Sequence, residues 1–282
     1  MKKKVVIIVS IIVVLIICFI IYCRHFGTKG LIVKEYLIKN ENIPESFYGT
    51  KIVHLSDIHY GRITKSNELK KIEKKIKKIK PDMVIVSGDL LDKDIKYTDK
   101  DIEDIINFLN NIETKFGKYI ISGEHDILKD EYQEILDKVN FINLDDSYQI
   151  LYNNSKEAIM ISGISTIGNN IDLKEKLEKI EISDNQEDDV KYSILVIHEP
   201  DIIDDIDYSK YDLILAGHSH NGQVILPLFG QQYLPKNAKK YYDEYYKLDD
   251  TDFYISSGIG TSGNNLRLNN KPSFNLYRLV NE

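Results

Sequence analysis

Leu213-Ile214-Leu215-Ala216-Gly217-His218-Ser219-His220-Asn221-Gly222 decides how the chain is read. An apolar strand stops at a glycine and presents two histidines one residue apart. Neutral imidazole is the commonest protein metal ligand, and a loop fixed by a buried strand can aim two of them. Alone the triplet is an ordinary loop as readily as a site, so partners decide. Four other strand-like runs also end in groups that bind metals or move protons. Lys51–Ser56 leads to Asp57 and His59, Met83–Ser87 to Asp89, Lys118–Ser122 to Glu124 and His125, and Ser193–Ile197 to His198.

Strands alternating with helical patterns predict an α/β fold, in which ligand sites gather at the carboxyl ends of strands. The helical stretches are Ser66–Lys80, with Leu69, Ile72, Ile76 and Ile79 at helical spacing and Pro81 as its stop, then Asp101–Asn111, about Leu128–Val139, and Ile171–Ile180. Further strands are expected at Leu31–Ile38, Gln149–Tyr152, Ala158–Ser162, Phe253–Ser256 and Phe274–Leu279; Glu181–Asp189 is an acidic loop. Asp57, His59, Asp89, Glu124, His198, His218 and His220, with His125 adjacent, then belong to one place. These are too many ligands for one catalytic ion, which takes about three protein groups and keeps a position open. They suit two ions, and the mixture of imidazole and carboxylate favours Mn, Fe, Zn or Co over calcium.

Ahead of this domain, Val5–Cys23 carries no charge after Lys2, Lys3 and Lys4. Nineteen such residues approach the ~30 Å hydrocarbon thickness, and bulky residues precede both cysteines, unlike a cleavage site. Residues 1–25 are therefore expected to be an uncleaved transmembrane anchor, 26–30 a linker and 31–282 the catalytic domain. The lysines before the span favour a cytoplasmic N-terminus and an extracytoplasmic catalytic domain. The formal charge of −7 argues against a nucleic-acid partner, which needs clustered Lys and Arg. Cys18 and Cys23, the only cysteines, lie outside the globular part, so it holds no disulfide or thiolate zinc site.

In order and rough spacing, Asp57-Ile58-His59, Gly88-Asp89, Gly123-Glu124-His125-Asp126, His198 and Gly217-His218-Ser219-His220 resemble the calcineurin-like metallophosphoesterases. Asn221-Gly222-Gln223, Ser257–Ser262 and Arg267 resemble their membrane-anchored bacterial branch. The likeness runs from Pro44 to Leu279. It implies an αββα sandwich, two mixed β-sheets flanked by helices, and a phosphorylated substrate; the tether, by location alone, suggests a small-molecule or lipid substrate at the membrane surface, and the globular part is expected to be a monomer. The likeness also implies Asp57, His59 and His220 on one divalent ion, His198 and His218 on the other, and Asp89 bridging. The implied reaction is attack by an ion-activated hydroxide, with His125 touching the phosphate and protonating the leaving oxygen, and Asp92 orienting His125.

One departure from the family matters: Glu124 stands where the family has Asn. An added negative charge weakens attraction for a phosphate dianion more than for a diester. The reading therefore tilts toward a phosphodiester or pyrophosphate at the membrane surface, with a catalytically weakened metal- and phosphate-binding protein as the alternative. Asn221 and Ser257 also replace the branch's usual Gly and Arg. Specificity is expected in loops such as Pro227–Leu248, whose Tyr241, Tyr242, Tyr245 and Tyr246 could face substrate or simply pack. The lysines of 70–80 are likewise read as a solvated face before a lipid-binding one.

Overall fold

The computed structural model describes residues 2–166, 173–180 and 189–281. In chain order the elements are α1 (Lys2–Tyr22), β1 (Ile32–Lys39), β2 (Lys51–Leu55), α2 (Ser66–Ile79), β3 (Met83–Ser87), α3 (Asp99–Asn110) and β4 (Lys118–Ile121). Next come α4 (Asp130–Lys138), β5 (Ile142–Asn143), β6 (Ser147–Tyr152), β7 (Ala158–Gly163), α5 (Leu173–Ile180), β8 (Val190–Val196) and β9 (Leu213–Ala216). The chain closes with β10 (Ile225–Leu226), β11 (Gly230–Gln231), β12 (Tyr245–Leu248), β13 (Thr251–Ile255) and β14 (Ser273–Val280).

Two six-stranded mixed sheets result, ordered β1-β14-β2-β3-β4-β5 and β12-β13-β9-β8-β7-β6. Strand alternation explains why they stack. In β3, Met83 and Ile85 enter the core between the sheets, while Val84 and Val86 enter the core under α2, α3 and α4. In β9, Leu213 and Leu215 face the shared core, and Ile214 and Ala216 face an outer core that includes Ile180 of α5. A strand buried on both faces reads as a continuous apolar run, as both do here. The layers are therefore helix, sheet, sheet, helix.

β2, β3 and β4 run parallel in one sheet, and β8 and β9 run parallel in the other. The loops leaving all five strands meet at one edge of the sandwich. α2 buries Leu69, Ile72 and Ile76 and turns most of its lysines to solvent, the solvated face expected.

Three expectations change. The stretch 26–30 is not a simple linker: a π-helical turn, Cys23–Gly27, continues α1. Cys23 is buried, its carbonyl accepts the amide of Arg267 at 3.2 Å, and a Cβ on Gly27 would lie 1.7 Å from the Arg267 carbonyl oxygen. The end of the apolar helix is thus packed onto the globular domain. The helix expected at about 128–139 is a 3-10 turn, Asp126–Leu128, followed by α4. Four strands, β5, β10, β11 and β12, were not anticipated, because two to four residues are too few to show a period. The acidic loop and the start of the helix placed at 171–180 fall on residues 181–188 and 171–172, outside the described residues.

Candidate metal centre

Asp57, His59, Asp89, His125, His198, His218 and His220 all converge, each no more than 3% exposed. Asp57, His59 and His220 form one set able to hold an ion, and Asp89, His198 and His218 form another. His220 Nε2 lies 3.2 Å from His59 Nε2 and 3.4 Å from Asp57 Oδ1. Asp89 Oδ2 sits between the sets, 3.6 Å from His59 Nε2 and 3.4 Å from His198 Nε2.

The outward ring nitrogens decide what the inward ones can do. His198 Nδ1 donates to the Ser87 carbonyl at 2.7 Å, and His218 Nε2 donates to the Lys236 carbonyl at 2.6 Å. His59 Nδ1 lies 3.2 Å from Asp92 Oδ2. Each contact turns one ring nitrogen outward and the other toward the cluster, so that the neutral ring would offer a lone pair there, as in histidines that bind metal. His198 Nε2 is buried without a hydrogen-bond partner. An inward lone pair facing carboxylates suits divalent cations, so these residues fit the ions that such a site holds.

Backbone strain marks the same residues. Asp57, His59, Asp89, His218 and His220 adopt φ between +43° and +63°. Such conformations cost about 1 to 3 kcal/mol each and persist where the surroundings enforce them. Gly88, at φ +91°, clears His198: a Cβ there would stand 2.5 Å from Nδ1. A Cβ on Gly217 would stand 1.9 Å from Ser56 Oγ. The glycine before each of these candidate ligands, Asp89 and His218, therefore lets two strand ends close on one another.

Charge reinforces the arrangement. Burial opposes ionisation of Asp89, but His198 and His59 outweigh it and hold the carboxyl well below its ordinary range. Burial would likewise neutralise His198, yet Asp89 raises it well above an ordinary imidazole. His125 is pushed down to about 4, chiefly by burial, against the pull of Asp89. Its Nδ1 accepts the Lys93 amide at 3.1 Å, so the neutral ring carries its proton on Nε2.

Asp92 differs from expectation. It lies 3.2 Å from His59 Nδ1 but 3.6 Å from His125 Nδ1, and it also pairs with Arg62. It stands beside His59 and Arg62, while the Nδ1 it faces on neutral His125 is already taken by the Lys93 amide.

Glu124 stands at the rim, its side chain 34% exposed, with Oε2 3.3 Å from His218 Nδ1 and Oε1 3.8 Å from His125 Nε2. Burial pushes its carboxyl up, partly opposed by His218. Ser257 and Asn221 join a neighbouring network. Lys34 Nζ donates to Ser257 Oγ at 2.6 Å and pairs with Glu244, which also accepts from Asn221 Nδ2 at 3.3 Å. The four tyrosines are mostly packing. Tyr241 meets Tyr246 edge-on at 5.1 Å, Tyr246 Oη accepts the amides of Tyr242 and Asp243, and Tyr245 Oη donates to Asp252. The carbonyls of Ser87 and Lys236 were beyond sequence reasoning, since any residue supplies one.

Fold and site define a class in which residues at strand ends hold divalent ions, and the calcineurin-like phosphoesterase family model matches residues 50–222. The chain belongs to that family, whose members are phosphoesterases that use divalent metals. It is 29% identical over 263 residues to the uncharacterised metallophosphoesterase YkuE of Bacillus subtilis, covering 92% of this chain and 88% of that one. An uncharacterised metallophosphoesterase of Campylobacter jejuni is 31% identical over 80% of this chain, which spans only 58% of that relative. A zebrafish transmembrane protein with a metallophosphoesterase domain is 25% identical over 84% of this chain and 54% of its own length.

Proposed function

We propose that the chain is a membrane-tethered, binuclear metal-dependent phosphoester hydrolase with a preference for diesters or pyrophosphates. The observation that carries this reading is the pinning of His59, His198 and His218 from outside, with inward lone pairs on both sides of Asp89. Asp57, His59 and His220 would hold one ion, His198 and His218 the other, and Asp89 would serve both. Two such ions would polarise a phosphoryl group and acidify a water.

The chain's own proton donor is His125. Neutral, it offers Nε2–H to a phosphoryl oxygen. A phosphate's negative charge beside the ring favours the imidazolium, whose Nδ1–H can turn from the Lys93 amide toward Asp92 Oδ2, 3.6 Å away. In that form Nε2 can pass its proton to the leaving oxygen.

Purified full chain is expected to carry two transition-metal ions and to hydrolyse bis(p-nitrophenyl) phosphate faster than p-nitrophenyl phosphate. A chelator should abolish both rates and added Mn should restore them. An intact complement of ions with no hydrolysis of either ester, of a lipid phosphodiester or of a pyrophosphate would favour the weakened binding protein instead.

The membrane tether rests on α1. Its 21 residues span about 32 Å at ~1.5 Å each, and none is buried by the protein. Full chain is expected in the membrane fraction of a cell lysate and a truncation starting at Leu31 in the soluble fraction, assayed by fractionation and immunoblot. Full chain with an intact N-terminus in the soluble fraction counts against the anchor.

A further inference from the structure

The hairpin that follows the histidine pair carries its most apolar residues where none of the described residues covers them. Leu228 is fully exposed and Phe229 is 78% exposed, on a turn between β10 and β11 that holds Leu228 at φ +70°. A bulky residue in the left-handed region is unfavourable, and here it serves to present an apolar side chain outward.

The base of this hairpin is bonded to the segment that borders the domain-side end of α1. Ile225 donates its amide to the Leu268 carbonyl at 3.0 Å, and Asn269 Nδ2 donates to the Ile225 carbonyl at 3.0 Å. Leu268 and Asn269 line a groove together with Tyr22, Phe26, Lys29 and Lys271. Aromatic rings and lysines at the end of an apolar span are the groups that settle at the headgroup level of a bilayer. Leu228 lies three residue steps beyond Ile225, a reach of about 10 Å at most, so the tip stays close to that level.

We propose that the hairpin tip Pro227-Leu228-Phe229 is a second membrane contact, inserted in the interface of the bilayer that α1 crosses. The proposal rests on α1 spanning the membrane. The other end of the hairpin reaches the metal centre, because Gly222, two residues after His220, is packed so closely that a Cβ there would stand 2.3 Å from Gln231 Cβ. Two contacts, one helix and one hairpin, fix how the domain tilts over the lipid, which a single helix leaves free. The substrate class this favours is a phosphoester carried by the membrane itself.

The chain contains no tryptophan, so one introduced residue reports alone. The full chain is reconstituted in vesicles of phosphatidylcholine and phosphatidylglycerol, with or without bromine on the acyl chains. Three variants are compared: Phe229→Trp at the tip, Ile12→Trp within α1, and Tyr152→Trp on the exposed edge strand β6. Brominated lipid is expected to remove about half or more of the emission from Phe229→Trp, as for a side chain buried in the acyl boundary. It should do the same to Ile12→Trp and leave Tyr152→Trp unchanged. Quenching of Ile12→Trp without quenching of Phe229→Trp overturns the hairpin contact and leaves the anchor standing. Absence of quenching at both overturns the anchor and, with it, the hairpin contact.

Discussion

Asp89→Asn is expected to strip most of both metal ions from the protein and to lower hydrolysis by about a thousandfold. Among the described residues, Asp89 is the one carboxylate with side-chain contacts to both histidine sets, 3.6 Å from His59 Nε2 and 3.4 Å from His198 Nε2. Removing its charge beside a cation ~4 Å away forfeits roughly 4 kcal/mol at an effective dielectric near 20, which as lost transition-state stabilisation is about three decades in rate. Asparagine keeps the size of the side chain and an oxygen to accept the His125 amide, which Asp89 Oδ1 now takes at 2.9 Å. The fold should therefore survive, and circular dichroism should match the parent. His59, proposed as a terminal ligand, should behave differently: His59→Gln removes one donor from one candidate set and should cost less metal. Elemental analysis of both variants checks this. A single ion that persists through Asp89→Asn would end the binuclear reading.

The parts of this protein that the sequence makes legible are those with a period or a punctuation mark. β3 and β9 are apolar runs closed by Gly88 and Gly217, and both strands lie where the runs predict. Five strand ends bearing Asp or His could be assigned to one edge without knowing which sheet each strand joins. What placed them in two sheets is the division of each strand's side chains between cores, a property of pairing that no single strand displays. The outer partners of the histidines were illegible for a different reason. Ser87 and Lys236 act through carbonyls, and a carbonyl leaves no trace in residue identity. The docking of Cys23 and Gly27 against Arg267 was hidden in the same way, since it is a backbone hydrogen bond and a close approach of main chains.

The left-handed conformations of Asp57, His59, Asp89, His218 and His220 explain why glycine recurs beside them. Residues in strained conformations need neighbours that can yield space, and Gly88, Gly123 and Gly217 supply it. A Cβ on Gly123 would stand 2.2 Å from Asp89 Oδ1. The motif's glycines and its acids are thus one device: the glycines permit the approach and the acids use it. The second-sheet loops reach into the first-sheet site by this route, with the His218 amide donating to both oxygens of Asp57 at 3.1 Å.

Glu124→Asn is expected to raise activity on phosphomonoesters relative to diesters by about tenfold or more. Glu124 Oε2 is 3.3 Å from His218 Nδ1 and Oε1 is 3.8 Å from His125 Nε2, so an ionised carboxylate there lies between the proposed proton donor and one candidate metal set. On the proposed mechanism it would cancel a unit of positive charge where the phosphate would bind. A dianion feels that loss twice and a diester monoanion once. Charges ~4 Å apart interact by roughly 4 kcal/mol at an effective dielectric near 20, and with a third of the side chain exposed, solvent screens part of it. A tenfold change in relative kcat/KM, about 1.4 kcal/mol, is the smaller effect that survives this screening. Asparagine removes the charge and one methylene while keeping an oxygen able to approach an ion. Parallel kcat/KM measurements on p-nitrophenyl phosphate and bis(p-nitrophenyl) phosphate, with metal content determined on the same samples, separate the outcomes. Should Glu124→Asn lose the ion beside His198 and His218 together with all activity, then Glu124 is a ligand that this site requires. The charge argument then fails, and the preference for diesters loses its support.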